Sequence, residues 1–324
     1  MKRRDFLSSA AACGAFAGAA GFFIRPAAAQ TVPSLRIIVP AAAGGGWDLT
    51  GRTLEKVLRQ TGAIGSAQVE NIAGAGGSVA LPQFLRMKGE NDLVMVTGFT
   101  MVSACIANQS PYSITGTTPI ARLTGEAHVL VVPQASPFKT LDDLIVALKA
   151  NPKAVTVTGG TPGGSDHITL GLIASSVGIS PRDLNWIAYD GGGQAQTALL
   201  GNHVQAGISN WSEFAGQVES GRLRALGLSS DHRLAGVDVP TFKEQGVDVV
   251  LFNWRGVFAP PGIAEESKAK LDKLIADMVA SAAWKKEVET RKWVDLYLPA
   301  SEFTPALVNE VASIKTIMGR LGFA

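Results

Sequence analysis

The sequence predicts an α/β protein of two lobes joined by crossing strands, and three observations carry that expectation. Short apolar runs alternate with segments of helical periodicity along most of the chain. Four glycine clusters stand directly in front of helical segments, as strand-to-helix turns do. No low-complexity linker or fixed-period repeat divides the 324 residues, so the lobes are expected to share strands.

The first thirty residues are set aside as a secretory leader. Lys2, Arg3 and Arg4 open it, an Ala/Gly/Phe-rich stretch follows, and Ala27-Ala28-Ala29 ends it like a cleavage site. Arg3-Arg4 before Asp5, Phe6 and Leu7 has the twin-arginine form. Arg25-Pro26 stops the apolar stretch short of the roughly 20 residues that span a bilayer. Cleavage after Ala29 leaves 295 residues with 25 basic side chains against 26 acidic, a net charge of −1 in place of +2. Such a surface offers no basic footprint for nucleic acid. Cys105 is then the one cysteine left, so this exported chain lacks an internal disulfide and relies on its core. At 46% hydrophobic residues, that length suits two domains.

Strands are expected at 35–39, 93–96, 129–132, 155–157, 186–189, 206–209 and 223–228. Leu54, Val57 and Leu58 mark a helix after the first glycine cluster. Leu141, Leu144, Ile145 and Leu148 mark another, with Thr140 and Asp143 as its capping box. The alternation predicts mostly parallel sheets. Beyond Pro260-Pro261-Gly262, the sharpest breaker in the chain, the pattern predicts helices only, over 265–280, 281–293 and 301–321, with Ser301 as an N-cap. One lobe is expected over 31–127 with a return of the chain at 251–324, and the other over 128–250.

The glycine clusters carry the chemistry. They are Gly44-Gly45-Gly46 before Asp48, Gly74 to Gly77, the stretch from Gly159 to Ser165, and Gly191-Gly192-Gly193. Glycine lets the backbone take positive φ and lets a ligand approach the main chain. The unpaired N–H groups and dipole of the following helix then favour an anion. Neither G-x-x-x-x-G-K-[ST] nor G-x-G-x-x-G is present, which disfavours phosphate and points to carboxylate. Asp48 and Asp166 open helices, where a carboxylate caps free N–H groups. Trp47 is either core or a wall of the ligand pocket.

Catalysis has little support. His128, His167, His203 and His232 are dispersed with no metal-ligand spacing, and G-x-S-x-G is absent. Ser165-Asp166-His167 contains the residue types of a hydrolase triad, but adjacent residues at one helix start point in different directions. No cofactor or metal is expected.

Six stretches in order, "PAAAGGGWDLTGR" (40–52), "ENIAGAGGSVA" (70–80), "GGTPGGSDHITLGLI" (159–173), "AYDGGGQAQTALLGNHVQAGISNWSEF" (188–214), "GRLRALGLSS" (221–230) and "NWRGVFAPPGI" (253–263), closely resemble the extracytoplasmic receptors of tripartite tricarboxylate transporters, the Bug family. The resemblance covers essentially the whole mature chain. It implies a periplasmic-binding-protein fold of type II form, with a cleft that closes on a small carboxylate and presents it to a membrane permease. It also implies a monomer that is not an enzyme. Carried over motif by motif, first-lobe ligand contacts fall on Gly45, Gly46, Trp47, Asp48 and the stretch from Thr97 to Thr100. Second-lobe contacts fall on Thr161, Gly163, Gly164, Ser165, Asp166, Gly191, Gly192 and Asn210. Asp190 stands where a basic or small polar residue is usual for the family, which favours a smaller or less charged acid than a tricarboxylate. A ligand-sensing co-receptor uses the same fold and pocket, and a secreted enzyme acting on an organic acid could occupy the same cleft.

Overall fold

The computed structural model describes residues 32–189 and 192–324; the leader, Asp190 and Gly191 lie outside it. In chain order the elements are β1 (Val32–Val39), α1 (Gly46–Gln60), β2 (Ile64–Asn71), α2 (Ala80–Arg86), β3 (Leu93–Gly98), α3 (Phe99–Ala107), β4 (Thr118–Pro133), α4 (Leu141–Ala150), β5 (Thr156–Gly159), α5 (Ser165–Ser176), β6 (Asn185–Ala188), α6 (Gly192–Leu200), β7 (Ala206–Asn210), α7 (Trp211–Glu219), β8 (Leu223–Leu228), β9 (Phe252–Ala259), α8 (Glu265–Ala280), α9 (Ala282–Arg291), β10 (Val294–Pro299) and α10 (Ala300–Leu321).

Two sheet halves share β4. The first runs β2-β1-β3-β9-β4, with β10 also on β4; the second runs β4-β7-β5-β6, with β8 also on β4. The 16 residues of β4 hold them together. Up to Ala127 the strand pairs with β9, and from His128 onward with β7 and β8. The sheet is mixed, not mostly parallel as the alternation predicts. Pairs β1–β2, β1–β3, β5–β6 and β5–β7 are parallel, but β9 pairs antiparallel with both β3 and β4. The cause is the return of the chain: β4 leaves the first half and β9 re-enters it, so the two run in opposite directions.

Burial follows from the strand period. Alternate side chains of β4 face opposite sides, so Leu130 and Val132 join a core with Leu141, Leu144 and Phe242, while Val129 and Val131 join one with Leu199, Phe214 and Leu228. A strand buried on both faces reads as a continuous apolar run, as 129–132 does. The first half has its own core, built on Ile37, Ile38, Leu54, Val94, Phe258 and Trp284. Thr140 and Asp143 form both bonds of a capping box on α4.

The end of the chain is not helix only. β10 intervenes as an edge partner of β4. The N-cap of α10 is Pro299, which places Ser301 inside the helix. All four glycine clusters follow a strand, because β2 precedes Gly74. Among the described residues no helix is long and apolar enough to cross a membrane.

Candidate functional site

Helix starts from both halves converge where β4 passes from one half to the other. They line an open cavity of about 190 Å³. Gly46 at the start of α1, Thr100 in α3, Ser165 at the start of α5, Gly192 of α6 and Asn210, the N-cap of α7, all line it. No N-cap side chain bonds into α1, α3, α5 or α7. The first-turn N–H groups of such helices have no intrahelical partner and form the positive end of the dipole. Two of the four are already met by a carboxylate: Ser212 N donates to Glu126 Oε1 at 2.9 Å and His167 N to Asp166 Oδ1 at 3.0 Å. The starts of α1 and α3 receive no such carboxylate among the described residues.

The three opening glycines serve three purposes. Gly44 takes φ +87°, a conformation that disfavours a side chain, while Gly45 is the extended N-cap of α1. At Gly46 a Cβ would collide with Arg255 Nη2. Arg255 is 1% exposed and cannot withdraw: its Nη2 lies 2.6 Å from Glu126 Oε2, and its Nη1 donates to Thr50 Oγ1 at 3.2 Å. Gly192 approaches Glu213 in the same way.

Ser165 sits at the centre of an ordered chain of hydrogen bonds. Thr169 Oγ1 donates to Ser165 O at 2.8 Å, so His128 Nδ1, 3.1 Å away, must be the protonated nitrogen and donate to Thr169 Oγ1. His128 Nε2 then accepts from Ser165 Oγ at 3.0 Å, and Ser165 Oγ accepts from Thr100 Oγ1 at 3.1 Å across the cleft. Burial, reinforced by the Arg255 charge, lowers the His128 pKa to about 3. A serine–histidine pair is therefore present, but its imidazole is too weak a base to activate a hydroxyl at neutral pH. The adjacent His167 plays no part in it. Its Nδ1 accepts from Gly163 N at 3.0 Å, and its ring stacks between Trp186 and Phe323.

The acids in and near the site differ. Asp166 Oδ2 accepts from Gly160 N, yet burial prevails and raises its carboxyl to about 6. Burial pushes Glu213 up as well, aided by Glu126 and Asp166 and opposed by the Ser209 hydroxyl, which donates to its Oε2, and by Arg255. For Asp48 burial is outweighed by bonds from Arg52, Gly44 and Asn71, which hold it below the usual value.

Of the residues singled out from the sequence, Gly45, Gly46, Trp47, Thr100, Thr161, Ser165, Asp166, Gly192 and Asn210 line the cavity. Asp48, Gly163 and Gly164 do not. Asp48 turns toward Arg52 and Asn71, and the other two shape the turn before α5. Gly191 lies outside the described residues. His128, Ser209, Glu213, Asn253 and Arg255 also line the cavity and were not picked out by sequence reasoning. Ser209, Glu213, Asn253 and Arg255 fall within the family-like stretches 188–214 and 253–263, and the lone arginine inside the apolar run "NWRGVFA" is a further signal.

The model of the tripartite tricarboxylate transporter family receptor matches residues 52–323. A Cupriavidus necator protein, the UPF0065 protein in the gbd 5' region, is 29% identical over 343 residues, covering 100% of this chain and 99% of its own. Among solved structures, periplasmic binding protein BugD superposes with a TM-score of 0.81 at 21% identity, covering 90% of this chain and 98% of its own. MatC from Rhodopseudomonas palustris with bound malate gives 0.79 at 20% identity, covering 88% and 98%. An R. palustris protein with adipate gives 0.80 at 19% identity, covering 90% and 98%. These likenesses establish the two-lobed periplasmic-binding-protein fold. Family and neighbours alike are substrate-binding proteins and not enzymes. The chain belongs to the tripartite tricarboxylate transporter receptor family, whose Bug-type members are periplasmic solute-binding proteins.

Proposed function

We propose that this protein captures a small organic acid, a di- or tricarboxylate or a related carboxylate, between its lobes and delivers it to the permease of a tripartite tricarboxylate transporter. The observation that carries the reading is the cavity itself, walled by glycine backbone and helix N-termini from both sheet halves. That two proteins of the same fold hold malate and adipate supports it. The lobes comprise 31–127 with 251–324, and 128–250. The crossing of β4 at Ala127 and His128 and the start of β9 at Phe252 support those limits. A ligand touching both lobes favours their closed arrangement over an open one. The protein acts in the periplasm as a monomer, exported by its twin-arginine leader and cleaved near Ala29. The site residues are Gly45, Gly46, Trp47, Thr100, Thr161, Ser165, Asp166, Gly192 and Asn210.

Calorimetry and thermal unfolding with a panel of small carboxylates test this. At 100 times its Kd the ligand adds about 2.7 kcal/mol of stability. Ser165→Ala should weaken binding by roughly 1 kcal/mol, about fivefold, while leaving the protein folded. Chemical turnover of the acid, or no stabilisation by any carboxylate, overturns the reading.

A further inference from the structure

The turn between β5 and α5 brings Gly160 and Thr161 to the cavity and leads into Ser165 and Asp166, which line it as well. Two side chains from the first turn of α5 hold that turn in shape. Gly160 N donates to Asp166 Oδ2, and Gly163 N donates to His167 Nδ1 at 3.0 Å. Burial lowers the His167 pKa to about 4, so at neutral pH the ring is uncharged and Nδ1 can accept.

The plane of the His167 ring is fixed by two others. Trp186 of β6 stacks on one face at 4.6 Å between centroids, and Phe323 on the other at 4.1 Å, with interplanar angles of 20° and 19°. Trp186 belongs to the same half of the sheet, but Phe323 comes from the far end of the chain. Its helix, α10, is anchored in the first half, where Phe303 packs on Trp254 and Phe258. The end of that helix is a Schellman motif. Gly322 takes φ +74°, Phe323 N donates to Met318 O at 2.9 Å, and Gly322 N donates to Gly319 O at 3.2 Å. The motif turns the chain so that the Phe323 ring lies on α5, where a Cβ on Gly171 would stand 3.1 Å from it. Gly322 is needed twice over, because a Cβ there would also collide with Arg182 Nε.

We propose that Phe323 is a positioning residue for the ligand site: it clamps His167 against Trp186, and His167 holds the turn 160–164 in the shape that receives the ligand. The proposal rests on the carboxylate reading above. Neither Phe323 nor His167 lines the cavity, so both act through the turn. The last helix of the first half thereby shapes a wall that the second half presents to the ligand. Without the Phe323 ring, His167 keeps one stacking partner, its plane is free to turn, and Gly163 N loses a steady acceptor.

The test combines amide exchange, followed by NMR on the ligand-free full chain, with calorimetry on the tightest binder among malate, succinate, adipate and citrate. Phe323→Ala should speed exchange of the Gly163 N–H roughly tenfold while the amides of β4 keep their protection. It should also raise Kd roughly threefold to tenfold. His167→Phe keeps the three stacked rings and removes the acceptor, so it should raise Kd by a similar factor, and the double variant by no more than either. A merely structural role for Phe323 would lower protection in β4 together with that of Gly163, and its effect on Kd would multiply with that of His167→Phe. Either result overturns the proposal, as does an unchanged Gly163 exchange rate or an unchanged Kd in Phe323→Ala. Binding of none of the four acids overturns the carboxylate reading; the exchange rates, which need no ligand, then decide the clamp alone.

Discussion

His128 shows most directly what burial does to a single residue. It is 0% exposed, neutral and hydrogen-bonded through both ring nitrogens. Its pKa falls from 6.5 to about 3 on folding, so its contribution to stability is full above pH 6.5 and is lost as the pH drops toward 3. A displacement of that size amounts to on the order of 5 kcal/mol. Asp166 works in the opposite sense. Raised to about 6, it contributes fully below 3.8, and that contribution is lost as the pH rises through 6. Unfolding midpoints measured from pH 3 to 8 should therefore show a weaker acid dependence in His128→Gln than in the parent, since glutamine keeps hydrogen bonds but takes no proton. An identical slope in the two proteins contradicts the assignment. Sequence reasoning reached Ser165 but considered the wrong histidine for it. His167 is two residues away along the chain, whereas His128 lies 37 away on strand β4, a closeness that only the tertiary fold creates.

At the scale of elements, the join between β4 and β9 depends on a buried ion pair. Glu126 and Arg255, each 1% exposed, bind at 2.6 Å across the two strands. Removing one partner strands a charge where solvent cannot reach it. Arg255→Met should cost roughly 3–5 kcal/mol, and the double change Glu126→Leu with Arg255→Met much less than the sum of the two single ones. Denaturant unfolding of the three variants measures this, and additive losses argue against the coupling. The elements legible in the sequence are those with strong local signals. The helix read at 265–280 matches α8, and the Thr140–Asp143 box is present. β2 escaped notice because it reads I-G-S-A-Q-V-E-N, with no apolar run to mark it. β10 did so because V-D-L-Y-L-P lies between two helices and pairs with a strand 170 residues earlier.

For the molecule as a whole, the shared strands bear on cooperativity. β4 contributes to the cores of both halves, so neither half can lose its sheet without disturbing the other. Calorimetry of the ligand-free protein should record one transition, with equal calorimetric and van't Hoff enthalpies. Two resolved transitions would mean that the halves unfold independently. The two-lobed plan was legible because no linker interrupts the sequence. The site was legible only in part, because glycine turns announce themselves locally while Glu213, Asn253 and Arg255 acquire their meaning from one another.

The same interleaving of strands dictates a timetable for synthesis. β3 finds its antiparallel neighbour in β9, whose first residue is Phe252, so Gly98 waits for more than 150 residues to leave the ribosome. At roughly 5–20 residues per second that delay is about 8 to 30 seconds. Throughout it β3 has an open edge, the kind of surface that invites misplaced pairing. The strands of the second half, β5 to β8, emerge within that interval with β4 already available. The later half of the sheet therefore has all its strands available before the first half does, and the first half is completed only once β9 and β10 have emerged.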